Sequence, residues 1–225
     1  MLTGKWSGRV GHRKPLMRSA RRCVFGGGVR FTLPNILTVS RVPALFAIVA
    51  LMYGDFRWGA TAAFWLFIAA AFSDWLDGKL ARSGGQVSTF GRFMDAVIDK
   101  VMVIGLMVAL VNGGYFMAWR TTAMVLLLCV IGREFIVSGL RMVAASKGVV
   151  VEADGGGKLK TFLQLNAIGW LLGWRMFVRD FVEGEPGLGM AVVHTTGLVF
   201  FGASVLLAIT SGWSYWRKHG YVVRD

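Results

Sequence analysis

Six apolar segments follow one another along the chain, and each is about as long as a membrane-crossing helix. They run over residues 35–53, 59–82, 91–112, 118–146, 159–178 and 188–214. A spanning helix needs about 20 predominantly apolar residues. Glycine, proline or charged residues separate the segments, as in Glu183-Gly184-Glu185-Pro186-Gly187. The pattern therefore predicts an all-α integral membrane protein with six transmembrane helices.

The hydrophobic pattern also divides the chain into three parts. Residues 1–32 are basic and irregular, and their positive charges precede any adequate apolar core, which argues against a cleaved signal peptide. Neither an internal repeat nor a second domain is apparent in the sequence. We expect a basic cytoplasmic N-terminal segment at 1–32, a six-helix domain at 33–216 and a cytoplasmic tail at 217–225.

Composition agrees with a membrane setting and narrows the partners. Of the 225 residues 55% are hydrophobic and only 16% are charged, which is too apolar for an ordinary soluble domain. The formal net charge of +13 is typical of proteins that bind nucleic acid or anionic lipid, or that carry topology signals. In so apolar a chain we favour lipid and topology, and we expect no nucleic-acid partner. The two cysteines are far apart and suggest neither a disulfide framework nor a zinc site.

The basic residues near the segment ends predict the orientation. They concentrate in the N-terminal segment, around Lys79, around Lys147 and in the C-terminal tail, which all fall on one side of a six-helix arrangement. Short loops rich in lysine and arginine remain in the cytoplasm. We therefore expect a multi-pass protein of a bacterial cytoplasmic (inner) membrane, with both termini inside.

Four aspartates lie inside the second and third apolar segments: Asp74, Asp77, Asp95 and Asp99. A carboxylate in the hydrocarbon region is costly, so an intramembrane cluster indicates a functional site. On an α-helix Asp77 lies about 60° around the axis from Asp74, and Asp99 is one helical turn beyond Asp95. If the two helical faces oppose each other, four carboxylates converge near the cytoplasmic ends of the helices, where they would repel one another unless cations bind.

Neighbouring residues add to this site. Oxygen-only ligands select hard cations, so we expect Mg²⁺ or Mn²⁺. Gly78, Ala81 and Gly91 leave room on the same faces for a bulky ligand to approach the backbone. Arg82 offers a forked donor that suits a pyrophosphate. A metal, small residues and an arginine together indicate a phosphate-containing substrate.

The aspartates belong to the string D-x-x-D-G-x-x-A-R-x8-G-x-x-x-D-x-x-x-D, which runs from Asp74 to Asp99. This string resembles the signature of the CDP-alcohol phosphotransferase family, with every defining position present. The resemblance implies a homodimeric, six-helix membrane enzyme that transfers a phosphatidyl group from a CDP-linked lipid to an alcohol and releases CMP. It also implies that Asp74, Asp77 and Asp95 hold a metal pair and that Asp99 is both a ligand and the base for the acceptor hydroxyl. By the same resemblance Asp74, Gly78, Ala81, Arg82 and Gly91 line the CDP-lipid site.

Other segments indicate the acceptor. Cations occur in the first, fourth and fifth apolar segments: Arg41, Arg133, Arg141, Lys158 and Lys160. We interpret them as ligands of an acceptor that carries its own phosphate, with Asn35, Thr38, Glu134, Thr161 and Gln164 supporting them. These segments resemble those of bacterial phosphatidylglycerophosphate synthases, which implies CDP-diacylglycerol as donor and sn-glycerol 3-phosphate as acceptor.

Two groups of alternatives remain open. Sister enzymes of the same family use phosphatidylglycerol, inositol phosphate or serine as the acceptor. From a different class, a cation or proton transporter also places carboxylates inside the membrane. A transport path would distribute polar groups through the bilayer depth, whereas Asp74 and Arg82 are only about 12 Å apart along one helix. The clustering therefore favours the enzyme.

Overall fold

A computed structural model of the protein describes residues 33–84, 89–148, 155–182 and 186–223, with side chains from residue 40 on except at 74–93, 95, 155–156 and 222–223. These ranges contain six α-helices and no strand: α1 (Leu33–Tyr53), α2 (Gly59–Gly84), α3 (Thr89–Asn112), α4 (Arg120–Ser146), α5 (Gly155–Met176) and α6 (Leu188–His219). The predicted all-α class is confirmed for this part of the chain. The N-terminal segment at 1–32 lies outside the described residues.

Each helix covers one of the predicted apolar segments, and the largest differences are at two ends. The helix α5 begins at Gly155 rather than at residue 159, and a π-helical turn at Phe177–Phe181 follows it. The helix α6 runs five residues past the predicted end at residue 214. Tyr215 in this extension is buried in a small cluster with Val137 and Leu140 of α4. Packing against α4 therefore prolongs a helix whose apolar pattern has already faded.

Two of the helix ends depend on glycine. Gly114 follows α3 with φ +76°, and Gly148 follows α4 with φ +74°. Residues with a Cβ rarely adopt this left-handed conformation, and it is the usual way to end an α-helix. The glycine-containing separators of the sequence are thus real helix stops at these two positions.

The core lies around α5, which packs against α2, α3 and α6. Its residues Ala167, Ile168, Leu171 and Leu172 are almost completely buried. The helix α1 contacts both α2 and α3. The helices α2 and α3, which carry the four aspartates, are therefore both held between α1 and α5.

The outer surface is strongly apolar. Phe46, Phe135 and Leu206 are each about two thirds exposed, and a soluble protein rarely presents large apolar side chains in such number. By length and composition, two stretches in the described ranges are suited to crossing a membrane, Met117–Ser146 and Leu188–His219. The apolar parts of α1 and α2 are shorter. The six-span count therefore stays a prediction.

Candidate functional site

The aspartate string occupies the C-terminal part of α2 and the N-terminal part of α3. The helical spacing on which the sequence argument rests is therefore present. The side chains of the residues that the resemblance assigns to the metal and the CDP-lipid, other than Asp99, lie outside the described residues: Asp74, Asp77, Gly78, Ala81, Arg82, Gly91 and Asp95. Among the side chains that are described, no group of three or more potential metal ligands occurs.

Asp99 forms an ion pair with Arg41 of α1. The arginine side chain is buried, whereas 42% of the Asp99 side chain is exposed. A buried guanidinium that holds one carboxylate oxygen restricts the rotamers of the aspartate. Arg41 therefore reaches the aspartate site by contacting the residue that the resemblance identifies as the base.

Asp99 also lines a cavity of about 200 Å³ between α3, α4 and α5. Its walls combine acidic, basic and neutral polar side chains with a few apolar ones: Ala96, Asp99, Lys100, Val103, Ile104, Glu134, Lys160, Thr161 and Gln164. At about 30 Å³ per water molecule, the volume holds roughly six waters. The cavity is thus suited to a small polar molecule.

Glu134 is the buried anion of this region. Its Oε1 accepts a hydrogen bond from Lys160 Nζ and another, of 2.9 Å, from Arg133 Nη1. Buried charges are stable only when they are paired and hydrogen-bonded. The shared carboxylate therefore holds both cations in place and leaves the trio with a net charge of +1.

Arg133 is held on its other side by α6. Its Nε donates to the carbonyl oxygen of Ala208 at 3.1 Å, and its Nη2 donates to Ser211 Oγ at 3.0 Å. A Cβ on Gly212 would lie 2.6 Å from Arg133 Cγ. The arginine therefore passes through a notch in α6 that exists only because residue 212 is glycine.

The remaining predicted acceptor residues lie in different surroundings. Arg141 donates to Tyr215 Oη and lies over the Tyr215 ring on α6. Lys158 is exposed in the first turns of α5. Lys160, Thr161 and Gln164 all line the cavity. The structure thus brings Lys160 and its neighbours to Asp99 and places Arg133 and Arg141 against α6. The side chains of Asn35 and Thr38 lie outside the described residues.

Sequence reasoning missed Lys100. This residue follows Asp99 directly, lines the same cavity and donates a hydrogen bond to Ser138 Oγ of α4. The signal was present in the spacing, because the cavity-lining positions of α3 follow the i, i+3, i+4, i+7, i+8 pattern of one helical face: 96, 99, 100, 103 and 104.

The family described as CDP-alcohol phosphatidyltransferase matches residues 31–210. This match includes the whole aspartate string and every residue that lines the cavity.

Three curated relatives illustrate the range of similarity. The CDP-diacylglycerol–glycerol-3-phosphate 3-phosphatidyltransferase of Bacillus subtilis is 32% identical over 84% of this chain and 95% of its own length. The chloroplastic/mitochondrial enzyme 1 of the same name from Arabidopsis thaliana is 38% identical over 83% of this chain, which spans 62% of that relative. A cardiolipin synthase (CMP-forming) of rice is 36% identical over 83% of this chain and 57% of its own length. Similarity alone therefore does not decide between these two kinds of enzyme.

Proposed function

Because the chain belongs to the CDP-alcohol phosphatidyltransferase family, we propose that it transfers the phosphatidyl group of CDP-diacylglycerol to sn-glycerol 3-phosphate. The products are phosphatidylglycerophosphate and CMP. The observation that carries this choice of acceptor is the cavity in which Asp99 lies beside Lys100 and Lys160. A carboxylate next to two ammonium groups fits a hydroxyl that must lose a proton and a phosphate that must be held.

The size of the cavity supports the same acceptor. sn-Glycerol 3-phosphate has about ten non-hydrogen atoms, and a volume near 200 Å³ accommodates it. Phosphatidylglycerol, the acceptor of the sister enzymes that make cardiolipin, would have to keep its two acyl chains outside this cavity. Serine carries no phosphate to match the cations. Inositol phosphate is larger and remains the alternative that charge alone does not reject.

The metal site of this proposal consists of Asp74, Asp77, Asp95 and Asp99, which would hold Mg²⁺ or Mn²⁺. Asp99 supports this assignment because it presents a partly exposed carboxylate to the cavity, and carboxylate oxygens are the ligands that these ions prefer. When bound, a divalent ion would neutralise the pyrophosphate and stabilise the leaving CMP. Gly78, Ala81, Gly91 and Arg82, together with Asp74, would bind the CDP group.

The chemistry follows from Asp99 and its partner. As the acceptor oxygen attacks the phosphorus that bears the diacylglycerol, its hydroxyl proton passes to the Asp99 carboxylate. The bond from that phosphorus to the bridging oxygen of CMP breaks, and CMP leaves with the electron pair. Arg41 orients the carboxylate for this step. No covalent enzyme intermediate is required.

The membrane arrangement completes the proposal. The domain at 33–216 would span a bacterial inner membrane six times as a homodimer, with the site facing the cytoplasm and the segments 1–32 and 217–225 inside. The strongly apolar surface supports a membrane location. In the proposed acceptor site Lys160 lines the cavity from α5, Lys158 contributes charge from the first turns of the same helix, and Arg133 and Arg141 act from α4.

An acceptor panel tests the function. The purified protein, supplied with CDP-diacylglycerol and Mg²⁺, should release CMP with sn-glycerol 3-phosphate and much more slowly with serine, inositol phosphate or phosphatidylglycerol. Chelation of the metal should stop the reaction, and added Mg²⁺ or Mn²⁺ should restore it. A preference for another acceptor would overturn the assignment. Cation or proton flux in liposomes without CMP release would favour the transporter.

A further inference from the structure

Lys100 differs from the other cations near the cavity in what balances its charge. Arg41 pairs with Asp99, and Arg133 and Lys160 share Glu134. The hydrogen-bond partner of Lys100 within the described part of the chain is the neutral Ser138 hydroxyl, and that hydroxyl itself donates to the Glu134 carbonyl oxygen at 2.6 Å. Ser138 therefore fixes the position of the ammonium group but does not neutralise it.

Two like charges face this cavity. Lys100 on α3 and Lys160 on α5 both line it, and they are close enough to repel each other. Such repulsion is unfavourable in a partly buried site unless an anion lies between the charges. An ammonium group has three donors, and Ser138 takes one from Lys100. The remaining donors are available to a ligand.

Gln164 gives an independent sign of a ligand. Its side chain is only 5% exposed and lines the same cavity, yet its amide has no hydrogen-bond partner among the described residues. The amide is not one of the fully buried unsatisfied groups of the described residues, so its atoms remain accessible from the cavity. An amide left in this state beside two ammonium groups is suited to donate to an oxyanion.

We propose that Lys100 and Gln164 bind the phosphate group of the acceptor together with Lys160. This inference rests on the proposed function and deepens it. Lys100 and Gln164 take the place of Arg133 and Arg141 as direct ligands of the phosphate. Arg133 is a positioning residue whose three hydrogen-bonding nitrogens hold Glu134 and α6. The phosphate of the acceptor is thus recognised from two helices, one of which also carries the base Asp99.

Steady-state kinetics of Lys100→Met test the proposal. The KM for sn-glycerol 3-phosphate should rise about ten- to a hundredfold, as expected for one lost charge-assisted hydrogen bond, while the KM for CDP-diacylglycerol stays the same. Lys100→Arg keeps the charge and should recover part of the loss. Lys218→Met is the matched control, because Lys218 is an exposed lysine near the end of α6 and its replacement should change neither constant.

Gln164→Leu distinguishes a ligand-binding role from a structural role, because only a structural role predicts a lower thermal unfolding midpoint. Replacing an amide that has no protein partner with an apolar side chain of similar size should not lower the thermal unfolding midpoint, but it should raise the KM for the acceptor. A lower midpoint would show that the amide is a structural group with protein partners, and would overturn its assignment to the ligand.

Direct binding separates this inference from the proposed function. Inorganic phosphate should bind the purified wild-type protein in detergent with an affinity that Lys100→Met reduces and Lys218→Met does not, whichever alcohol the enzyme uses. If the acceptor panel selects another alcohol while this difference persists, the proposed acceptor is wrong and the phosphate site stands. If Lys100→Met changes neither phosphate binding nor the KM for the acceptor, the inference is wrong.

Discussion

The notch at Gly212 gives a prediction whose size follows from the structure. In Gly212→Ala, the new Cβ would lie 2.6 Å from Arg133 Cγ and 3.1 Å from its Nε. Cγ lies near the backbone of Arg133, and the far end of the side chain is held by Ala208 and Ser211. The side chain therefore has to move as a whole and weaken both hydrogen bonds. Overpacking of this kind costs typically about 1–3 kcal/mol.

A matched substitution isolates this effect. A Cβ on Gly202, also in α6, would meet no atom within 4 Å. Gly202→Ala should therefore gain up to about 1 kcal/mol from helix propensity alone. With the same propensity gain and the steric cost added, Gly212→Ala should be less stable than Gly202→Ala by about 1–3 kcal/mol.

Thermal unfolding in detergent, followed by circular dichroism at one scan rate, measures the difference. In a domain of this size 1 kcal/mol corresponds to about 2–4 °C, so the two midpoints should differ by roughly 2–12 °C. Gly212→Ala should also raise the KM for the acceptor, because a displaced Arg133 releases Glu134 and with it Lys160. Equal midpoints for the two variants would refute the reasoning that residue 212 must be glycine for Arg133 to pass.

Three further substitutions, the last with a matched control, test other side chains. Asp99→Asn should lower CMP release about 10²–10⁴-fold, the usual contribution of a general base, with unchanged helical content by circular dichroism; a rate near wild type would exclude Asp99 as the base. Glu134→Gln leaves two cations without their shared anion and should cost about 3 kcal/mol in thermal unfolding experiments, so an unchanged midpoint would argue against a buried trio. Asp180→Asn weakens the two 2.7 Å hydrogen bonds that Asp180 accepts from the Thr61 N–H and hydroxyl, and it should lower the thermal unfolding midpoint. The control Asp55→Asn changes a fully exposed carboxylate and should leave the midpoint unchanged.

Much of the fold could be predicted from local patterns. The six apolar segments each became one helix, since a stretch of about 20 apolar residues has few alternatives to a helix in a membrane. Glycine-containing separators marked real ends at Gly114 and Gly148. The end of α6 was not predictable in this way, because its continuation depends on Tyr215 packing against a different helix.

The aspartate string was equally visible in the sequence. Charged residues are rare in apolar segments, so their positions stand out, and helical spacing alone relates Asp95 to Asp99 along one face. The same reasoning identified the cations as a group. It did not show which of them contact one another.

The partners of those cations were decided by tertiary structure. Arg133 and Lys160 are similar in sequence terms, as single cations inside apolar segments, but one enters a notch in α6 and the other lines the cavity with Asp99. Lys100 shares a helical face with Asp99, but only the packing of α4 and α5 beside α3 showed that this face lines a cavity. The sequence thus determined the helices and the inventory of charged groups, and only the packed structure determined their roles. The physical reason is that helical periodicity sets the direction of a side chain relative to its own helix, whereas its partners depend on which other helices pack against that face.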